Sequence, residues 1–433
     1  MDNSQKNHLK AYGIAYWVLQ NNISIDWLLN YRGGSFLTEY SPDIKNECDI
    51  RGVSYEIIAD VKVSSILTEV SSDDANMDAV KLEKAPKMAV YSPKDKLPWD
   101  DAVTLALTYA EIPYTVIYDG EIINGELSKY DWLHMHHEDF TGQYGKFYAS
   151  YHNAQWYKDQ KRNAEEEAHS FGFAKVSEKK LFVAKTIKAY VENGGFLFAM
   201  CSGTDSFDIA LAAENVDICE SMFDGDPADP QAQSKLDYSK CLAFQNFKLK
   251  TNPMEYEYSD IDVTETRRIN DNADFFTLFE FSAKWDPVPT MLCQNHTNII
   301  HGFMGQTTAF NEDLIKPATV IMGELKSAKE AKYIHGTFGK GTWTFYGGHD
   351  PEDYRHFVGD QPTNLDNHKN SAGYRLILNN VLFPAAKKKK QKTLLTSVGA
   401  CISTCALALG LFLFVPFNNT PPSVDEHKES EYY

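Results

Sequence analysis

The chain predicts an α/β protein: a doubly wound parallel sheet, preceded by a small α+β unit, interrupted by an inserted mixed region and followed by a transmembrane helix. Three observations predict it. Between residues 87 and 213, short apolar runs alternate with segments of helical period, as strand–helix–strand units do. The same rhythm returns at Lys332. Leu394–Phe417 is 24 residues without a charge, long enough to cross a bilayer with some tilt.

Residues 1–10 are polar and show no charged-then-apolar leader. Tyr12–Leu19 and Ile23–Tyr31 are expected as strands, with Gly33-Gly34 marking a turn. Pro42–Arg51 is expected as a short helix, Val53–Ala59 as a strand and Val61–Val70 as a helix. Residues 1–80 make the small α+β unit, and the acidic stretch Ser71–Pro86 is its connector. The main domain is expected over 86–384. Its strands are Lys87–Tyr91, Pro113–Tyr118, Asp131–His136 and Phe196–Met200. Its helices are Trp99–Ala110 and Val176–Asn193, the second stopped by Gly194-Gly195.

Residues 214–330 break the rhythm. They are acidic and rich in Asp, Asn and Phe, and are expected as an insertion of mixed structure. Its Asp224–Pro230 cluster lacks the spacing and terminal Glu of an EF-hand and reads as a solvated loop. Tyr333–His335 and Gly341–Tyr346 read as the arms of a hairpin, and Gly373–Leu382 as a final helix. A basic linker over 385–393 carries lysines at 387–390 and 392, and a polar tail covers 418–433. Lysines on the N-terminal side of the span place the large domain in the cytoplasm. If Met1 is an internal start and a leader precedes it, the domain is extracytoplasmic instead.

Composition narrows the function. The chain has 433 residues, 43% hydrophobic and 13% aromatic, enough for a large core. Its formal net charge is −18, which argues against a nucleic-acid partner. Seven cysteines at 48, 201, 219, 241, 293, 401 and 405 form no C-x-x-C pair, so neither a zinc ribbon nor a thioredoxin-type motif is present.

The chemistry centres on Phe196–Ala213. An apolar run, a small polar turn at Cys201-Ser202-Gly203-Thr204 and a helical segment give the layout of a nucleophile elbow, with Cys201 at the bend. The first helical amides then face the sulfur and favour thiolate, and Ser202 and Gly203 supply an oxyanion hole. The same residues also read as an ordinary α/β joint around a small buried cysteine. Gly347-Gly348-His349 supplies a histidine at another strand end, with Asp350 and Glu352 as carboxylates to orient its ring. A second cluster, His134-x-His136-His137-Glu138-Asp139, puts His134 and His136 on one face of a strand. With Glu138 they are candidate ligands of a divalent transition metal. No organic cofactor is expected.

These motifs resemble a known family. The sheet rhythm, Ala199-Met-Cys-Ser-Gly203, Phe345-Tyr-Gly-Gly-His-Asp-Pro-Glu352 and Gly373-Tyr-Arg-Leu-Ile-Leu-Asn-Asn380 resemble the class I glutamine amidotransferase-like fold, above all its ThuA-like branch. The resemblance covers roughly 87–213 and 332–383. It implies Cys201 as nucleophile and His349 as base. Glu352 stands three residues after the histidine, where true amidotransferases place Glu two residues after it. Over its whole length, with Asn30–Phe36 and His136–Phe147, the chain resembles a group of Bacteroidetes proteins labelled asparagine synthetase B. Genuine synthetases use a Ser-Gly-Gly-x-Asp-Ser loop for ATP, which Ser202–Ser206 resembles with one Gly fewer. The elbow therefore has a second reading, as a cradle for pyrophosphate. Three functions stay open: a cysteine hydrolase or amide-nitrogen transferase anchored in a membrane, a non-catalytic module binding a small molecule, peptide or sugar, and a metal-dependent hydrolase using His134 and His136.

Overall fold

In a computed structural model of the chain, residues 1–93, 100–286 and 288–386 are described. The expected membrane span 394–417, most of its basic linker, the polar tail and Trp99 lie outside them. Among the described residues, no helix is long and apolar enough to cross a membrane.

The protein is α/β, with two sheets among the described residues. The smaller has the order β2-β1-β3, where β1 is Ile25–Leu29, β2 Ser35–Leu37 and β3 Asp78–Leu82. The larger has ten strands: β4 (Met88–Tyr91), β5 (Thr115–Ile117), β6 (Trp132–Met135), β7 (Phe196–Met200), β8 (Phe275–Leu278), β9 (Ile299–His301), β10 (Phe310–Asn311), β11 (Val320–Leu325), β12 (Glu330–Phe338) and β13 (Gly341–Tyr346). Nine follow the order β5-β4-β6-β7-β13-β12-β11-β8-β9, and β10 pairs with β12.

The doubly wound parallel sheet of the expectation is corrected to a mixed one, whose antiparallel part begins at the hairpin read from Tyr333–His335 and Gly341–Tyr346. Strands β5, β4, β6, β7 and β13 are parallel, but β12, β11, β8 and β9 continue antiparallel. The reason is the connection between β12 and β13. Only Gly339 and Lys340 join them, and so short a link reverses the chain, whereas a parallel crossover needs a dozen or more residues. Gly339 takes φ +59°, which suits a residue without Cβ. The strands of the inserted region thus extend the main sheet.

Side chains alternate across the parallel half and bury both faces. Phe198 and Met200 join Met88, Val90 and Trp132 in a core shared with helices His8–Gln20, Ala102–Tyr109 and Ala372–Leu382. Leu197 and Ala199 join Ala89, Tyr91 and Leu133 on the other face, under helices Val176–Glu192 and Ser202–Ala212.

Three expectations near the N-terminus differ from the fold. Tyr12–Leu19 lies within a helix, capped by the Asn7 side chain accepting from the Lys10 amide. Ten of its thirteen residues are buried, so its apolar residues show no one-sided period. Val53–Ala59 pairs with no strand among the described residues, and Tyr55 and Ile57 on it are exposed. Strand β3 falls inside the stretch expected as a connector.

Candidate functional site

Three adjacent parallel strands deliver the site. Just beyond the end of β6 comes His136, directly after β7 comes Cys201, and just beyond β13 comes His349. The pairings Met135↔Ala199 and Tyr346↔Met200 hold these ends level. One ligand atom from each of His136, Cys201 and His349 lies within 4.8 Å of the others, and all three residues are buried. The rings of His136 and His349 are 4.6 Å apart, and His349 stacks on His356 at 4.6 Å.

Cys201 has the elbow conformation, with φ 50° and ψ −141°. A residue with a side chain enters that region at a cost of about 1–3 kcal/mol, and such strain concentrates at functional sites. The thiol donates to the Gln306 carbonyl oxygen at 2.8 Å, so the inserted region covers the sulfur. Burial, with Asp262 and Asp205 nearby, pushes the thiol up to about 12, although the Ser202 backbone opposes the rise. The resting group is a thiol, contrary to the thiolate expected from the helix amides. His349 is held well below the ordinary histidine value, first by burial and then by His136, His137 and His356. Its imidazole is neutral.

The oxyanion-hole expectation is corrected at Gly203. Its amide donates to the His136 carbonyl at 2.6 Å. A Cβ at Gly203 would lie 2.3 Å from that oxygen, so the absence of a side chain lets the two strand ends meet. The Thr204 amide returns to the Cys201 carbonyl, and the Ser206 amide bonds an Asp205 oxygen. The amides of Gly203, Thr204 and Ser206 therefore meet acceptors within the protein. The Ser202 amide points at the sulfur, and its hydroxyl, also buried, finds no hydrogen-bond partner.

Neither expected carboxylate orients His349. Glu352 pairs with His368 at 2.9 Å. Asp350 accepts from the Tyr374 hydroxyl and the Glu352 amide, both at 2.8 Å. The carboxylate beside His349 is Asp100, grouped with His349 and His356. Its neighbour Asp101 caps helix Ala102–Tyr109 through Oδ1 and turns Oδ2 to His134 Nε2 at 3.2 Å and His136 Nδ1 at 3.4 Å. Burial raises the Asp101 carboxyl, but the two imidazoles outweigh it and hold it well below the usual range. Sequence reasoning missed both aspartates. An Asp just before an apolar helical period signals an N-cap, which was the clue available.

The expected metal set of His134, His136 and Glu138 is corrected in the same way. His134 and His136 share a face, but their carboxylate is Asp101. Glu138 lies three residues past the end of β6 and accepts from the Tyr118 hydroxyl at 3.0 Å, with Lys180 at 3.8 Å. Burial pushes it up to about 7, with Lys180 opposing. Glu138 instead lines a cleft of about 680 Å³ with His137, Tyr118, Tyr144, Trp156 and Lys180. His137 joins the cleft to the cluster, its ring 5.1 Å from His136 and 6.0 Å from His349.

The molecule is therefore an α/β protein with a mixed sheet and a buried cysteine–histidine cluster at its parallel strand ends. No family model matches the chain, and no curated protein matches it. Among solved structures it is similar to the cytoplasmic proteins STM3548 and STM1381 of Salmonella typhimurium. These have TM-scores of 0.34 and 0.35 and identities of 11% and 12%, each covering 70% of this chain and 100% of its own. It is also similar to Gan42B, a GH42 beta-galactosidase, with TM-score 0.24 and 11% identity over 61% of this chain and 28% of the other.

Proposed function

We propose that the protein is a cysteine-dependent hydrolase or acyl-transfer enzyme of the class I glutamine amidotransferase-like kind, with Cys201 as nucleophile and His349 as base. One observation carries the reading: a strained, positive-φ cysteine at a strand–helix bend with its sulfur within 4.8 Å of a histidine nitrogen from the next strand. Five parallel strands with helices on both faces support the family fold.

The chemistry runs in two halves. The neutral His349 imidazole takes the thiol proton as the sulfur attacks a substrate carbonyl carbon. The Ser202 amide is placed near the developing oxyanion. The imidazolium returns the proton to the leaving amine or alkoxide as that bond breaks. Water then hydrolyses the thioester. The thiol must first leave the Gln306 carbonyl. The cleft beside His137 gives a small molecule, peptide or sugar a route in. The uncharged run 394–417, with its flanking lysines, supports a single membrane anchor and a cytoplasmic domain.

The test is turnover of activated esters and of glutamine by the full chain in detergent, with intact-mass trapping of an acyl-enzyme. Cys201→Ala should abolish both, and His349→Asn should slow acylation by about 10²–10⁴. Undiminished turnover by Cys201→Ala would overturn the assignment.

A further inference from the structure

We infer that His136, Cys201 and His349 bind a single thiophilic transition-metal ion of the zinc type, and that this ion, when bound, holds Cys201 as a ligand and silences it as a nucleophile. The first clause stands on the geometry alone; the second rests on the proposed hydrolase reading.

The donor set is one thiol and two imidazoles, all buried and within 4.8 Å of one another. That combination suits zinc and its neighbours and leaves the fourth tetrahedral position open. A tetrahedral N₂S site needs donors about 3.5 Å apart, from metal–ligand lengths of about 2.0–2.3 Å. Side-chain rotation of roughly an ångström closes the difference.

The unpaired atoms point to an ion. Nε2 of His136 and Nε2 of His349 have no hydrogen-bond partner, although both residues are buried. Buried nitrogens of this kind are rarely left without a partner, and an ion is one of the few groups that satisfies several at once. Asp101 Oδ2, 3.4 Å from His136 Nδ1, adds the carboxylate that characteristically stands behind a metal-bound histidine. It fixes the tautomer that leaves Nε2 for the ion.

The neighbouring groups hold partners of their own. His134 is engaged at both nitrogens, by the Phe198 carbonyl and by Asp101. His356 lies 2.9 Å from a carboxylate oxygen at each ring nitrogen, of Asp100 and of Asp353. The cluster of Asp217, Cys219 and Asp224 already holds the Lys175 ammonium against two of its carboxylates. The trio at the strand ends keeps an unpaired nitrogen on each of its two imidazoles. Binding replaces the thiol S–H by a metal–sulfur bond and releases one proton to solvent.

The experiment uses the full chain in detergent, stripped with a chelator and titrated with Co²⁺ and then Zn²⁺. The inference expects one ion per chain, a thiolate-to-cobalt charge-transfer band, and its loss on adding Zn²⁺. Cys201→Ser should abolish the band. His136→Gln and His349→Gln should each weaken binding at least tenfold. Asp101→Asn, which keeps the helix cap, should weaken it about 10- to 100-fold. No band in the wild-type protein, or an unchanged band in Cys201→Ser, overturns the site. Acyl-enzyme trapping before and after Zn²⁺ separates the two readings. Binding with an inert stripped enzyme defeats the hydrolase reading and leaves the site standing. Turnover without binding does the reverse, and turnover undiminished by bound Zn²⁺ defeats the silencing.

Discussion

The Cys201 sulfur and a His349 ring nitrogen lie within 4.8 Å because β7 and β13 are parallel neighbours whose Met200 and Tyr346 are in register. Each strand places its functional residue just past its carboxyl end, where ligands of α/β sheets bind. His136 reaches the same point from β6, on the other side of β7. The cluster is a consequence of strand order, and substitutions at the bend test it directly.

Position 201 should tolerate residues by backbone shape more than by chemistry. With φ 50° and ψ −141°, glycine fits without strain, whereas a β-branched side chain is strongly disfavoured. Cys201→Gly should unfold in urea at nearly the wild-type midpoint. Cys201→Val should be less stable than Cys201→Gly by about 2 kcal/mol or more. Equal stabilities would mean that the bend is not strained.

Gly203→Ala should be costly although alanine favours helices. Its Cβ would sit 2.3 Å from the His136 carbonyl oxygen, which already accepts the Gly203 amide. Strand end or helix must shift, at about 1–3 kcal/mol or more. Chemical denaturation measures this, and a gain in stability would show that the two elements are not in contact.

The parallel half of the sheet was legible because its strands are short, apolar and punctuated. Phe196–Met200 between Gly194-Gly195 and the Cys201 turn is the clearest case, and the helix limits at 42–51 are exact. The pairing of Cys201 with His349 followed from the rule that sites lie at strand ends. Asp100 and Asp101 did not, because a helix cap carries no sign in sequence of which way its second oxygen points. The His8–Gln20 helix was hidden by being buried nearly all round; of the antiparallel half the β12–β13 hairpin was legible, and the rest was hidden by strands spread through an acidic insertion. Glu138 shows the limit of proximity in sequence. Three residues past a strand end were enough to send it to another cavity.

Asp119 should be among the most sensitive positions away from the cluster. It is fully buried and bridges Lys179 at 2.7 Å and Lys180 at 3.1 Å. Burial raises its carboxyl, but the two ammonium groups and their hydrogen bonds bring it below the usual value. Asp119→Asn leaves two buried cations without their shared counter-charge and should cost about 3–5 kcal/mol. Adding Lys180→Met should recover part of that. Thermal melts of the three proteins distinguish this from a simple loss of packing, which the second change could not repair.

His335 makes the protein sensitive to mild acid. It is buried on β12, with Nδ1 2.8 Å from the Thr344 hydroxyl and Nε2 without a hydrogen-bond partner. Burial lowers it to about 3. His8 is lowered to about 3 and His296 to about 4, each first by burial and then by Arg375. In the unfolded chain these rings titrate near 6.5. Between about 6.5 and the folded values the unfolded state therefore binds more protons, and stability falls as pH falls through that window. Each ring contributes a slope of up to about 1.4 kcal/mol per pH unit. His335→Leu keeps an apolar side chain of similar reach and has nothing to protonate. Its stability relative to wild type should be constant above pH 7 and should rise steadily from pH 6.5 to pH 4.5, read from urea midpoints. A difference independent of pH would show that the buried ring is already protonated or already exposed in the native fold.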